Sequence, residues 1–235
     1  MFYSHHFAEV SKLAYLDNEK KLFKDLGYTY TQFFDVDGAQ AYVLWNKERI
    51  SIAFRGTEPK ETSDVKADLH ATKFNGYHEG FYIEYMKLHD KIKDKVKNLL
   101  QRSKRELYIC GHSLGGAIAT ICAVHFPLEA TALYTYGSPR ALSRSRAKEF
   151  CVQHKRHVNN NDVVPKVPPA FIGYRHVGEL CYINYYGNIR KMTTWQRIKD
   201  QWRGRWHCLK VKKVPFDGLF DHSIGEYAKY LSDGE

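Results

Sequence analysis

A chain of 235 residues is long enough for one sizeable hydrophobic core and short for two. With 43% hydrophobic and 26% charged residues it has the balance of an ordinary globular protein, and no apolar run approaches the ~20 residues of a membrane-spanning helix. The formal net charge of +10 points to an anionic surface or substrate, and the excess is concentrated between 190 and 213, which holds nine Lys and Arg against one acid, Asp200.

Taken in chain order, Phe7 to Leu16 reads as a first helix, with Phe7, Val10, Leu13 and Ala14 at helical spacing. Ala41 to Trp45 and Ile50 to Phe54 read as two strands joined by the turn Asn46-Lys47-Glu48-Arg49. Asp68 to Asn75 is irregular. Phe81 to Leu100 is a long amphipathic helix, with Phe81, Tyr85, Leu88, Ile92, Val96 and Leu99 on one face and lysines on the other. Leu107 to Cys110 is a short apolar strand. The small residues after it suit a helix that stops at Pro127. Ala132 to Tyr136, Lys155 to Val158 and Leu180 to Tyr185 read as further strands, the last at an edge. Strands alternating with helices predict an α/β fold with a mostly parallel central sheet flanked by helices. Without repeats, low-complexity tracts or linkers, residues 1–235 are expected to form one domain, with a basic, Trp-rich insertion near 190–213.

The stretch Gly111-His112-Ser113-Leu114-Gly115 fits the pattern G-x-S-x-G. Set between an apolar strand and a small-residue helix, that pattern describes a sharp turn that lifts a serine oxygen to a helix N-terminus. A serine hydroxyl is a poor nucleophile until a base takes its proton, and the base needs an acid to orient it. In this kind of fold the chain order is serine, acid, histidine. Asp162, in Asn159-Asn160-Asn161-Asp162-Val163-Val164-Pro165, is the candidate acid; a turn aspartate in an Asn-rich loop is the plainer reading of the same residue. Among the later histidines, His176, His207 and His222, the last stands on a loop just ahead of a final helix bearing Ile224, Tyr227, Ala228 and Leu231, and is the candidate base. His112 is expected to point away from the nucleophile and brace the turn. Thr57, in Arg55-Gly56-Thr57-Glu58 after the second strand of the hairpin, and Leu114 are the candidate backbone donors to an oxyanion.

The segments Phe54-Arg55-Gly56-Thr57, Ala67-Asp68-Leu69, His78-Glu79-Gly80-Phe81, Gly111 to Gly116, Tyr136-Gly137-Ser138-Pro139-Arg140, Asn161 to Pro165 with Pro168-Pro169, and Tyr174-Arg175-His176-Val177-Gly178 run in order along most of the chain. Together they resemble the class 3 (fungal-type) lipase family, which includes phospholipase A1 relatives. The resemblance implies an α/β-hydrolase fold, a Ser113–His222–Asp162 triad, an oxyanion hole from Thr57 and Leu114, and a supporting role for Asp68 at the Thr57 hydroxyl. It implies a serine hydrolase of lipid esters that needs no metal or cofactor. An esterase or thioesterase acting on small soluble substrates, and a non-catalytic membrane-binding module on the same fold, are the competing expectations. Family members often carry an apolar lid helix; here the corresponding stretch from Glu58 to Lys66 is almost wholly polar, so strong interfacial activation is not expected.

Trp195, Ile198, Trp202, Trp206 and Leu209 recur at helical spacing, interleaved with Arg197, Lys199, Arg203 and Arg205. One reading makes Trp195, Arg197, Trp202, Arg203 and Trp206 face an anionic membrane. The other packs the tryptophans on the sheet and leaves the charges in water, and Gly204 weakens the helix in either case. No nucleic-acid recognition motif accompanies the charge. Five widely spaced cysteines without C-x-x-C suggest a reducing compartment. Met1 to His6 lacks the charged and apolar pattern of a signal peptide. The expected setting is the cytoplasm, or delivery without a signal peptide, with peripheral membrane association.

Overall fold

The computed structural model describes residues 2–16, 20–56, 72–212 and 221–232. The chain opens with α1 (Phe2–Leu13) and α2 (Lys20–Asp25). The first helix thus begins before Phe7 and ends before Leu16. A meander of β1 (Tyr30–Val36), β2 (Ala39–Trp45) and β3 (Arg49–Phe54) follows. The turn between β2 and β3 is tied by Asn46, whose Oδ1 accepts from the backbone N–H groups of Glu48 at 2.9 Å and Arg49 at 2.8 Å. The turn between β1 and β2 is Asp37-Gly38, both residues at positive φ, 48° and 83°. That is the two-residue geometry whose twist matches antiparallel strands.

After β4 (Lys73–Phe74) and β5 (Tyr77–His78) comes α3 (Glu79–Arg102), which buries the predicted stripe from Phe81 to Leu99. β6 (Glu106–His112) runs into α4 (Leu114–His125), nearly all of whose residues are buried. A helix hydrophobic all round needs such a site, and its small residues let it lie close to the strands. β7 (Ala130–Tyr136), β8 (Leu142–Ser143), α5 (Arg144–Glu149), β9 (His154–Asn159), β10 (Tyr174–Arg175), β11 (Glu179–Ile183), α6 (Thr194–His207), continued by a π-helical stretch Cys208–Lys212, and α7 (Ile224–Ser232) complete the described α-helices and strands.

The main sheet has the order β1-β2-β3-β6-β7-β9-β11. Its pairs from β3 to β11 are parallel, and the β1–β2–β3 meander supplies the antiparallel edge. β11 is the far edge, as expected, though it ends at Ile183 rather than Tyr185. One face is covered by α3 and α4 over Ile50, Ile52, Phe54, Leu107 and Ile109. The other is covered by α1 and α7, where Phe7, Val10, Tyr227 and Leu231 meet Tyr108, Tyr134 and Tyr136. Each fully buried aliphatic or aromatic side chain contributes about 1.5–3 kcal/mol. The two cores hold the C-terminal ends of the parallel strands in fixed register, and from those ends the site is built.

Candidate active site

Ser113 is the junction between β6 and α4, with φ 56° and ψ −129°. For a residue with a Cβ this backbone is strained, at a cost on the order of 1–3 kcal/mol. Neighbouring structure holds it: Ser113 N–H donates to Tyr136 O at 2.9 Å, and Gly116 N–H to Ser113 O at 3.0 Å. The side chain therefore leaves the strand end beside the first turn of a helix, whose leading N–H groups have no partner within the helix. Leu114 opens that turn.

The candidate acid and base converge on it. His222 Nε2 lies 2.7 Å from Ser113 Oγ, and His222 Nδ1 lies 3.0 Å from each oxygen of Asp162. A carboxylate can only accept, so the proton sits on Nδ1 and Nε2 is left to accept from the serine; this tautomer follows from the network. Asp162 is fully buried. Its Oδ1 also accepts from Val164 N–H at 2.9 Å, and its Oδ2 from the Tyr227 hydroxyl at 2.6 Å. A charge out of water must be satisfied in this way to persist. Gly137, at φ 58°, leaves room for the pair: a Cβ there would stand 2.6 Å from Asp162 Oδ2 and 2.8 Å from His222 Nδ1.

Tyr227 was legible only as a member of an apolar helix face. In the structure its ring packs in the core while its hydroxyl, besides donating to Asp162, accepts from Asn159 N–H at 2.9 Å. Burial, and then the Asp162 charge, push its pKa well above the ordinary tyrosine value, so it remains a donor. The signal was a polar tip in a stripe five residues after the candidate base. His112 does brace the turn. Its Nε2 donates to His222 O at 2.6 Å, and its Nδ1 accepts from the Tyr15 hydroxyl at 2.9 Å. Burial, then the neighbouring His222, hold its pKa well below the histidine norm, which keeps it neutral.

The loop that carries Asp162 is fastened on two sides. Asn159 Nδ2 donates to Asp221 O at 3.0 Å, and Asn161 N–H to Asp221 Oδ2 at 2.9 Å. From α6, the buried Asp200 accepts from Asn160 Nδ2 at 2.7 Å, from Tyr182 at 3.0 Å and from Tyr185 N–H at 2.9 Å. Gln201 Nε2 donates to Asn160 O at 3.1 Å. Gly204 completes the contact: a Cβ there would meet Asn160 Oδ1 and Asn161 Nδ2, each at 2.6 Å.

The tryptophans of α6 do not pack on the sheet. Trp195, Trp202 and Trp206 are 65%, 58% and 55% exposed, and Arg203 is exposed with them. Arg197 departs from the outward set expected of it. It is half-buried, with its Nε shielded from solvent, and lines a cavity of about 380 Å³ with Glu179, Tyr182 and Arg190. The reason is the wheel: Arg197 projects from the side of α6 that carries Asp200 and Gly204 toward the sheet. His176 Nε2 donates to Pro165 O at 2.7 Å, away from Ser113, and His207 lies against the Tyr185 ring; neither joins the triad. Thr57, Asp68 and the polar stretch from Glu58 to Lys66 lie outside the described residues. Among the described residues no group of three or more His, Cys, Asp or Glu could hold a metal ion.

Comparison with known families places this geometry. The family model described as Lipase (class 3) matches residues 51–172, more than half of the chain. The chain belongs to the class 3 lipase family. Its family match runs from β3 through Ser113 and Asp162, and stops short of α6 and His222. A lipase of Rhizomucor miehei is 32% identical over 198 residues, covering 75% of this chain and 52% of that protein. Toxin TseL of Vibrio cholerae serotype O1 is 30% identical over 187 residues, covering 57% of this chain and 28% of the toxin. The chain thus spans about half or less of the length of these relatives. Among solved structures, lipase II from Rhizopus niveus superposes with a TM-score of 0.68 at 21% identity, over 77% of this chain and 80% of that one, a likeness of fold. The α/β-hydrolase architecture expected from the sequence is the one this chain adopts.

Proposed function

We propose that the chain is a serine hydrolase that cleaves carboxylic ester bonds of lipids through an acyl-enzyme intermediate. The observation that carries the reading is the continuous line Ser113 Oγ, His222, Asp162, at 2.7 Å and 3.0 Å. Ser113 Oγ attacks the acyl carbonyl as His222 Nε2 takes its proton. Asp162 holds the ring and stabilises its charge. The carbonyl oxygen becomes an oxyanion, for which the Leu114 N–H is one donor and Thr57 the other by family resemblance, with Asp68 supporting the Thr57 hydroxyl. His222 returns the proton to the leaving alcohol, and the ester bond breaks. Water, deprotonated by the same nitrogen, then releases the fatty acid and restores Ser113. The net charge of +10 favours an anionic lipid surface as the setting. Together with the polar stretch from Glu58 to Lys66 it favours phospholipids or monoacyl esters over bulk triacylglycerol.

The test is fatty-acid release from anionic phospholipid vesicles, from triacylglycerol emulsion and from a short soluble ester, with wild type beside Ser113→Ala. Release from vesicles that falls by at least about 10³-fold in the variant is the expected outcome. Release from the soluble ester alone makes the protein an esterase, and release equal in both proteins removes Ser113 from the chemistry.

A further inference from the structure

We infer that α6 is the element by which this protein docks on an anionic lipid bilayer, its three tryptophans entering the headgroup region and its flanking cations meeting the lipid charges. The inference goes beyond the reaction proposed above: it concerns where the protein binds, and it stands or falls without the triad.

The helix is amphipathic the wrong way round for a soluble protein. On a wheel of about 100° per residue, Trp195, Ile198, Trp202 and Trp206 fall within an arc of about 80°. That arc faces solvent: besides the tryptophans, Ile198 is 39% exposed, and Leu209, in the π-helical stretch that follows α6, is 54% exposed. The side roughly opposite carries Asp200 and Gly204, and it is this polar, small-residue side that is buried against the Asp162 loop. Packing inward is therefore already satisfied by hydrogen bonds, and the aromatic stripe takes no part in it. Apolar patches of this kind on a soluble protein mark interaction sites.

Charge selects the occupant. Lys199 and Arg203 border the stripe on one side and Arg205 on the other, and Lys210 follows in the π-helical stretch beyond α6, all exposed. Lys199 lies 5.6 Å from the Trp195 ring, and Lys210 lies 4.9 Å from the Trp206 ring. A second copy seated on this face would bring the same cations together. A bilayer with acidic headgroups offers the opposite charge at its surface and apolar depth just beneath it, and tryptophan, with an apolar body and one N–H, is suited to that boundary. The helix is also preformed. Thr193 caps it, with its Oγ1 accepting from Gln196 N–H at 3.3 Å while Gln196 Oε1 accepts from Thr193 N–H at 2.8 Å, so docking need not fold the segment. From Trp195 to Trp206 the stripe runs about 17 Å, enough for all three rings to reach one plane.

The experiment uses Ser113→Ala protein, which leaves the lipid intact, sedimented with phosphatidylcholine vesicles with and without phosphatidylserine. Bound protein only with phosphatidylserine, a blue shift of tryptophan emission on binding, and weakening by added salt are expected. Trp195→Ala/Trp202→Ala/Trp206→Ala should lower the vesicle affinity about tenfold or more with an unchanged Tm. Lys199→Gln/Arg203→Gln/Lys210→Gln should remove the preference for phosphatidylserine. Vesicle binding unaltered by the tryptophan changes overturns the inference, as does equal binding to neutral vesicles. So does a concentration-dependent dimer that the same changes abolish, which would make the stripe a face between copies. An inactive wild type that still binds vesicles through these residues would sink the proposed reaction and leave the docking surface standing.

Discussion

Asp162 is a buried carboxylate surrounded by donors, and the Tyr227 hydroxyl is one that can be removed while the ring that carries it stays in place. Its hydroxyl donates to Asp162 Oδ2 at 2.6 Å and accepts from Asn159 N–H, while its ring packs against Tyr136 and His112. Tyr227→Phe keeps the ring and removes both bonds. A hydrogen bond to a charged group contributes about 1.5–3 kcal/mol, and the variant should lose stability of that order in urea denaturation. Because the lost bond orients the acid rather than touching substrate, kcat should fall about tenfold with KM nearly unchanged; a rise in KM alone would contradict this. Ser113, Asp162 and His222 were readable from the chain because a strand–turn–helix serine and a fixed residue order identify them. Tyr227 was not, because a tyrosine in an apolar stripe gives no sign of where its hydroxyl ends. Gly137 appeared only as part of the segment Tyr136 to Arg140 that carries the family resemblance, and its role was hidden because the two side chains it makes room for arrive from loops far along the chain.

The elements divide by whether one stretch of chain decides them. α3 buries its predicted stripe because a 3.6-residue period has one apolar side and the sheet needs a cover. The hairpins around Asp37-Gly38 and Asn75-Gly76 were also written locally, since both pairs supply the positive φ angles of a tight turn. They went unread because the strands beside them are half-exposed or only two residues long. α6 is the opposite case. Its period fixed the stripe, but only the distant residues Asn160, Tyr182 and Tyr185 determine which side turns inward. That arrangement gives a test in which two effects oppose one another. Alanine is a better helix former than glycine by about 1 kcal/mol, so Gly204→Ala would stabilise a helix free in water. Here the added carbon meets Asn160 and Asn161 at 2.6 Å, both buried and the former tied to Asp200. Overpacking of this kind costs typically 1–3 kcal/mol. The variant should therefore melt lower than wild type, while Arg205→Ala, one residue on and exposed, should not. A higher Tm for Gly204→Ala would mean that α6 does not press on the loop.

Across the molecule, an unusual share of the interior is imidazole. His6, His78, His112, His154 and His157 are all buried. Burial above all lowers their pKa values, to about 4 for His6, His78 and His157 and well below the usual value for His112 and His154. In the unfolded chain such rings titrate near 6.5. The folded state thus binds fewer protons below that pH, so stability present above pH 6.5 is lost as pH falls from 6.5 toward 4. A ring whose pKa falls from 6.5 to about 4 contributes a slope approaching about 1.4 kcal/mol per pH unit in that window, so the urea midpoint should fall steeply between pH 6.5 and 5. Urea midpoints measured at pH 7.5, 6 and 5 check this; a flat series would show that the rings are solvated. Chain connectivity adds a different constraint. The basic segment lies in sequence between the acid and the base, and reads there as an appendage to the family's common body. Yet it grips Asn160 through Asp200 and Gln201, and the Asn161 side of the same loop is held by Asp221, next to His222. It is thus a keystone between two parts of one site rather than a detachable cassette. Exchanging it for a short loop would leave the Asp162 loop held on the Asp221 side alone, so its outer face can be redesigned only if its inner face is kept.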